Sequence, residues 1–297
     1  LNVAIENGNG KIKGSTFMVK IITDTTSCLS PQIAQKYQIP VIPQIIVFGE
    51  ESFYEGVDIT IEEFMRRLKS SPTLPKTAAP PPELFAEQFR RLAPSGEPII
   101  CIHPSAEVSG TVRSALVAAQ DFPEADIRVI DTRVVASPLG AMVQHAAEWA
   151  QAGTDADTIA ARVQAESARC RVYFLVDTLE YLARGGRIGG AAALLGGVLQ
   201  IKPILRLHDG KVDQYERERT HKRAVARLKD IVREQIAMDG TGYLSVLEAG
   251  ARPQADRLAA ELGQLVQQKD VPVFDMPPAI VTHGGPGILG VGFFAGN

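Results

Sequence analysis

The stretch that most constrains this chain is Pro98-Ile99-Ile100-Cys101-Ile102, which is followed after a short polar segment by Val112-Arg113-Ser114-Ala115-Leu116-Val117-Ala118-Ala119. The unbroken apolar run reads as a buried strand and the second stretch as a helix. The same order recurs. Ile127–Ile130 leads into a helix around Leu139–Ala150, and Val19–Thr23 leads into a helix opened by Ser30-Pro31, with proline at the first helical position. Alternating strands and helices predict an α/β fold with a mostly parallel sheet covered by helices on both faces. Ligands of such sheets sit past the carboxyl ends of the strands. Asp24, Ser109 and Asp131 all fall just past predicted strand ends, so one rim can carry all three.

Elsewhere in the first half, Val41–Phe48 reads as a strand interrupted at Pro43-Gln44, and Ser52–Val57 as an edge strand. Thr60 to Ser70 is an amphipathic helix with Ile61, Phe64, Met65 and Leu68 on one face. Ser71 to Pro82 is Pro-rich and reads as loop, and a helix follows over Glu83–Leu92. A second unit starts near Arg169, with strands at Arg171–Val176, Ile201–Leu207 and Lys211–Arg217, the last two joined at His208-Asp209-Gly210. A helix over Thr220–Ala237, a strand over Gly242–Glu248 and a helix over Pro253–Gln268 come next, then strands at Pro272–Phe274 and Ala279–Thr282. A length of 297 residues accommodates two ordinary domains. The expected layout is an N-terminal α/β domain over 18–168 and a smaller C-terminal α/β domain over 169–297, with a cleft between them. Residues 1–17 are polar and Gly-rich, and are assigned to an extension or arm outside the core, with Met18 a fitting natural start.

Composition excludes several classes of partner. The net charge is −3 with both signs mixed, which gives no electrostatic basis for binding nucleic acid or an anionic membrane surface. The bases between Arg217 and Arg233 interleave with acids and read as a solvated helix face. Cys28, Cys101 and Cys170 lack metal or redox spacing, which fits a reducing cytoplasm. No apolar run is long enough to span a bilayer, so no integral membrane association is expected. The P-loop, G-x-S-x-G and H-E-x-x-H patterns do not occur, and Gly185-Gly186-Arg187-Ile188-Gly189-Gly190 fails the dinucleotide register. None of the five histidines forms a ligand pair, so no metal or cofactor is expected.

Four segments carry candidate chemistry. Ser109 is predicted at a helix N-cap, and Gly110 lets a ligand approach the backbone. The unsatisfied first-turn N–H groups favour a carboxylate or phosphate there, although the same residues also make a self-satisfied cap. Pro75-Lys76-Thr77-Ala78-Ala79-Pro80 offers a second hydroxyl. Arg187 lies between paired glycines, ahead of a predicted helix over Ala191–Leu199. Its planar fork suits an oxyanion in a cleft, or else it closes a structural turn. Ala191, Leu194, Leu195 and Val198 are core residues or the lining of an apolar tunnel. His283 follows a predicted strand at the edge of a glycine-rich turn. It can donate to an anion or change protonation near neutral pH, or it is simply a turn residue.

Five ordered features together resemble the DegV family of bacterial fatty-acid-binding proteins. They are Ile22-Thr23-Asp24-Thr25-Thr26-Ser27; Pro75-Lys76-Thr77-Ala78-Ala79-Pro80; Ser105 with Val108-Ser109-Gly110-Thr111; Leu182-Ala183-Arg184-Gly185-Gly186-Arg187-Ile188 running into Ile201-Lys202-Pro203-Ile204-Leu205; and Thr282-His283-Gly284-Gly285-Pro286-Gly287. Each is short, and their order over Val19 to about Gly290 is what distinguishes them. The resemblance implies a two-domain DegV-like (EDD) fold that holds one long-chain fatty acid in the cleft. It implies that Thr77 and Ser109 bond the carboxylate with the Gly110 N–H nearby. It further implies that Arg187 and His283 sit at the mouth, where the catalytic subunit of a fatty-acid kinase would phosphorylate the acid. Ala78 departs from the family, which usually has a second hydroxyl there. His103-Pro104 stand where the family has a longer hydroxyl-rich loop. Ser137 and Asp131 match a strand-end pattern of the family.

On this basis the expected function is that of a cytoplasmic binding subunit in lipid metabolism, not an enzyme by itself. Two other readings are a stand-alone hydrolase or phosphotransferase using His283 and Asp24 as acid/base groups, and an acyl-ligand sensor.

Overall fold

The computed structural model describes residues 18–195, 201–238 and 242–296. The arm assigned to residues 1–17, together with Val198 and Leu199, lies outside the described residues. In chain order the first half comprises β1 (Lys20–Asp24), α1 (Pro31–Tyr37), β2 (Val41–Ile42), β3 (Ile45–Phe48), β4 (Glu51–Tyr54), α2 (Ile61–Ser70) and β5 (Lys76–Ala78). It continues through α3 (Pro82–Leu92), β6 (Ile99–His103), α4 (Thr111–Ala119), β7 (Ile127–Asp131), α5 (Ser137–Gln151) and α6 (Ala156–Arg169).

Strands β2-β1-β6-β7 form a parallel sheet. Side chains alternate across a strand. Ile22, Ile99 and Cys101 pack with Phe85 and Phe89 of α3 and Ala115 of α4. Ile21, Ile100 and Ile102 pack on the other face with Leu139 and Met142 of α5 and Ile159 of α6. Both faces are therefore dry, as the apolar run over β6 demands. The run over Val41–Phe48 splits at Pro43-Gln44. Its first part joins the parallel sheet, and its second part joins an antiparallel sheet of order β4-β3-β5. The Pro-rich segment expected to be loop supplies β5, a three-residue edge strand in which Thr77 pairs with Ile46. Three residues with prolines nearby give no period for a strand reading.

The second half comprises β8 (Cys170–Leu175), α7 (Glu180–Arg184), β9 (Lys202–His208), β10 (Lys211–Glu218), α8 (His221–Gln235), β11 (Leu244–Ala249), α9 (Arg252–Leu265), β12 (Val273–Asp275), α10 (Pro278–Gly284) and β13 (Ile288–Phe294). These strands form the larger sheet, six strands in the order β10-β9-β8-β13-β11-β12. One face packs on α8 and α9 through residues such as Leu228 and Leu258. The other face turns toward α5, and there Ser137 Oγ lies 2.8 Å from Ser245 Oγ. The helix expected from Ala191 is a 3-10 helix over Gly189–Leu194. Ala191 and Leu194 are buried in the main core and Leu195 is exposed.

Two segments reverse the sequence expectation. Ala279–Thr282 belongs to helix α10, because Pro277 in extended geometry and Pro278 at the first helical position start a helix there. Strand β13 falls on glycines that the sequence presents as a turn. Gly290 is needed because a Cβ there would lie 2.9 Å from the Tyr173 carbonyl and 3.0 Å from Phe174 Cβ. A Cβ at Gly292 would collide with Pro138.

Candidate functional site

The loops after β1 and β6 and the faces of β8, β9 and β10 enclose a narrow cavity of about 130 Å³. Its apolar walls include Val172, Phe174, Leu207, Val212, Met276 and Ile288. Thr77, Ser109, Gly110, Arg187 and His283 all line this one cavity, together with Thr26 and Gln44. Four chain segments far apart in sequence meet there. They do so because β5 places Thr77, the turn before α4 places Ser109 and Gly110, and the turn after α7 places Arg187 beside the imidazole on α10.

The turn before α4 differs from expectation by one residue. Gly110, not Ser109, is the N-cap, with φ −79° and ψ 0°, and having no side chain it makes no side-chain cap bond. Ser109 precedes it, and its hydroxyl accepts the Thr111 N–H at 3.3 Å. A Cβ on Gly110 would stand 3.1 Å from Ala79 Cβ, so the glycine lets the segment after β5 approach α4. Arg187 does both things its sequence context allows. It lines the cavity, and it closes local structure by donating from Nε to the Val108 carbonyl at 3.0 Å and from Nη1 to the Gly185 carbonyl at 2.8 Å.

His283 is on helix α10, not after a strand, and its Nε2 lies 2.7 Å from Thr77 Oγ1. Its Nδ1 is buried without a hydrogen-bond partner. Burial, and then the Arg187 charge, pushes its pKa down to about 4. The imidazole is therefore neutral at pH 7, and the expectation of a protonation change near neutrality does not hold. Of the two groups named for acid/base work, His283 lines the cavity and Asp24 does not. Asp24 is buried against His103, whose Nδ1 is 2.7 Å away.

Several other residues near the cavity escaped sequence reasoning. Glu55 is 3% exposed, accepts the Thr25 hydroxyl, and accepts the Ala279 N–H at 2.7 Å. It thereby ties the first turn of α10 to the loop after β1. Burial pushes its carboxyl up to about 7. Ala136, at the start of α5, lines the cavity with φ 66° and ψ −156°, a region that L residues avoid. The only sequence signal for Gln44 is its polarity within an apolar run. Asp131 and Ser137, by contrast, hold structure. Asp131 accepts the Ala106 and Arg133 N–H groups, and Ser137 bonds Ser245. Burial raises all three thiols, so Cys28, Cys101 and Cys170 are not poised nucleophiles. Among the described residues no helix is long and apolar enough to cross a membrane.

The walls around the cavity are braced from both halves of the chain. Ser105 Oγ donates to the Gly210 carbonyl at 2.8 Å, and Arg133 donates to the Asp209 carbonyl at 2.7 Å. Lys211 pairs with Glu107 at 3.1 Å. These contacts clamp the turn between β9 and β10 onto the loops after β6 and β7.

Comparison with known proteins gives a consistent answer. The family model described as "Uncharacterised protein, DegV family" matches residues 18–296. A DegV domain-containing protein of Streptomyces coelicolor is 39% identical over 279 residues, covering 92% of this chain and 97% of the relative. A DegV family protein from Thermus thermophilus, whose structure is described for its fatty acid binding, superposes with a TM-score of 0.84 at 30% identity. That match covers 94% of this chain and 99% of the other. DegV from Bacillus subtilis, described as a fatty acid binding protein, superposes with a TM-score of 0.84 at 28% identity, covering 94% of this chain and 100% of the other. This chain belongs to the DegV family.

Proposed function

We propose that this protein binds a long-chain fatty acid, with the acyl tail along the apolar wall of the cavity and the carboxylate against Thr77, Ser109 and the Gly110 N–H. The observation that carries this reading is one cavity joining apolar side chains of the six-stranded sheet to those hydroxyls, beside Arg187 and His283. A buried carboxylate is costly unless its oxygens are bonded. Hydrogen bonds to a charged group contribute roughly 1.5–3 kcal/mol each. Burial at ~0.8 kcal/mol per methylene gives a long tail on the order of 10 kcal/mol before association costs. The tail therefore sets the affinity, and the hydroxyls set which end faces them.

The finer parts of the proposal follow from the family likeness. The domain boundary lies near residue 169, with the ligand between the halves. The chain acts as a binding subunit that presents the acid to an ATP-dependent kinase, with Arg187 and His283 at the mouth. A stand-alone acid/base enzyme fits the geometry less well, because His283 contacts Thr77 while Asp24 contacts His103.

Native mass spectrometry of freshly purified protein tests the binding. A co-purified mass matching hexadecanoic or octadecanoic acid is expected. An empty protein that also fails to take up either acid would overturn the reading. ATP-dependent acyl-phosphate formation with a candidate kinase, present only when this chain is added, tests the carrier role.

A further inference from the structure

A hydrogen-bonded chain of five side chains leads from the interior of the parallel sheet to the cavity. His103 Nδ1 lies 2.7 Å from Asp24 Oδ2, and Gln44 Nε2 lies 3.1 Å from Asp24 Oδ1. The same Nε2 lies 2.9 Å from Thr111 Oγ1, which is 2.8 Å from Ser109 Oγ. His103, Asp24 and Thr111 are fully buried, and Gln44 is 3% exposed. Ser109, at the far end, lines the cavity.

The protons in this chain have one consistent direction. A carboxylate only accepts. Asp24 Oδ1 already accepts the Thr26 N–H at 3.0 Å and the Thr26 O–H at 2.6 Å. Gln44 must therefore turn its NH₂ toward Asp24, and its second proton goes to Thr111 Oγ1. Thr111 is then left with its own proton to place, and Ser109 Oγ is the acceptor beside it. The opposite direction, Ser109 donating to Thr111, would leave the Thr111 proton buried without an acceptor. Ser109 Oγ also takes the Thr111 backbone N–H at 3.3 Å, so both of its acceptor positions are filled from α4. Its own proton is left to point into the cavity.

We infer that Asp24, acting through Gln44 and Thr111, fixes Ser109 as a donor and so makes the cavity select an acceptor-only carboxylate head group over an uncharged one that carries its own hydroxyl proton. Asp24 and Thr111 stand behind the cavity lining and Gln44 is part of it, and all three act on the head group by positioning Ser109. The inference rests on the fatty-acid reading above and adds the device that enforces it. A ligand carboxylate receives the Ser109 proton as a charge-assisted bond, whereas an alcohol of equal tail receives a neutral bond and must place a proton of its own.

The test compares hexadecanoic acid with hexadecan-1-ol by calorimetric titration of delipidated full-length protein. Equal tails cancel the contribution of the apolar wall, so the ratio of the two affinities reports the head group alone. The native chain is expected to prefer the acid by about 10-fold or more. Gln44→Met and Thr111→Val are each expected to cut that preference by about threefold or more; for Thr111→Val, a position outside the cavity lining, alcohol affinity is expected to move by less than about twofold. Thr111→Ser, which keeps the hydroxyl, is expected to retain the native ratio. A native ratio near one overturns the inference whether or not any variant folds. So does an unchanged ratio in Gln44→Met or Thr111→Val, or a parallel loss of acid and alcohol. A native chain that binds neither compound overturns the fatty-acid reading itself, and the relay's role falls with it.

Discussion

Thr77 Oγ1 and His283 Nε2 stand 2.7 Å apart although 206 positions separate them in the chain. The contact joins the edge strand β5 to helix α10 across the cavity lining. The ring has one nitrogen at Thr77 and the other, Nδ1, buried without a partner. An unpartnered ring acceptor is less costly to bury than an unpartnered N–H, so the favoured tautomer carries its proton on Nε2 and gives it to Thr77. The Thr77 proton is then available to the cavity, matching the direction set at Ser109.

Removing the Thr77 hydroxyl should therefore cost both stability and binding. Thr77→Val leaves His283 Nε2 without its partner, and is expected to lower unfolding free energy by about 1–3 kcal/mol in urea denaturation of the ligand-free protein. Affinity for hexadecanoic acid should fall as well. An unchanged denaturation midpoint would count against the contact.

The His283 imidazole should stay neutral well below the usual histidine range. Its pKa of about 4, against an ordinary 6.5, means the unfolded chain takes up a proton before the folded one does. The resulting stability is present above about pH 6.5 and is lost as pH falls toward 4. Two-dimensional NMR of ring resonances in the ligand-free protein should show its titration midpoint near 4. A midpoint above 6 would contradict this burial.

Glu55 contributes with the opposite sign. Its folded pKa of about 7 lies above the ordinary 4.5. Its contribution is complete below about 4.5 and is lost as pH rises through 7. The stability of the native chain relative to Glu55→Gln should accordingly fall by about 1–3 kcal/mol between about pH 5 and pH 8. Parallel pH profiles for the two proteins would show that Glu55 titrates normally.

Ala136 should accept glycine with a gain. Its φ of 66° and ψ of −156° suit glycine alone, and its N–H bonds the Thr26 carbonyl at 2.9 Å. Ala136→Gly is expected to stabilise by about 1 kcal/mol, read as a raised thermal midpoint, because relieved strain outweighs the added freedom of the unfolded chain.

The parallel sheet was readable because a strand buried on both faces must be apolar throughout, as at Ile99–Ile102. So was the hairpin at His208-Asp209-Gly210, where residues 209 and 210 both take positive φ. Helix α6 was not assigned from the sequence, and Ala279–Thr282 of α10 reads as a strand because three apolar residues and a threonine suit either element. Strand β13 was hidden by glycines whose purpose lies in Tyr173, Phe174 and Pro138, residues remote in sequence. The same limit applied at the site. Thr77, Ser109, Gly110, Arg187 and His283 stand in short segments that a family likeness picks out. Gln44 and Thr111 act through contacts that exist only once β3 and α4 are packed. Glu55 likewise has meaning only beside the first turn of α10.

Strand β13, the last strand among the described residues, lies between β8 and β11 in the middle of the six-stranded sheet. During synthesis, β8 must wait for more than a hundred later residues before its neighbour on that side emerges from the ribosome. Until then one edge of β8 and one edge of β11 are open to pairing with other chains. Nascent forms stopped short of residue 288 would thus be the aggregation-prone ones, while the parallel sheet of the first half already has all four of its strands.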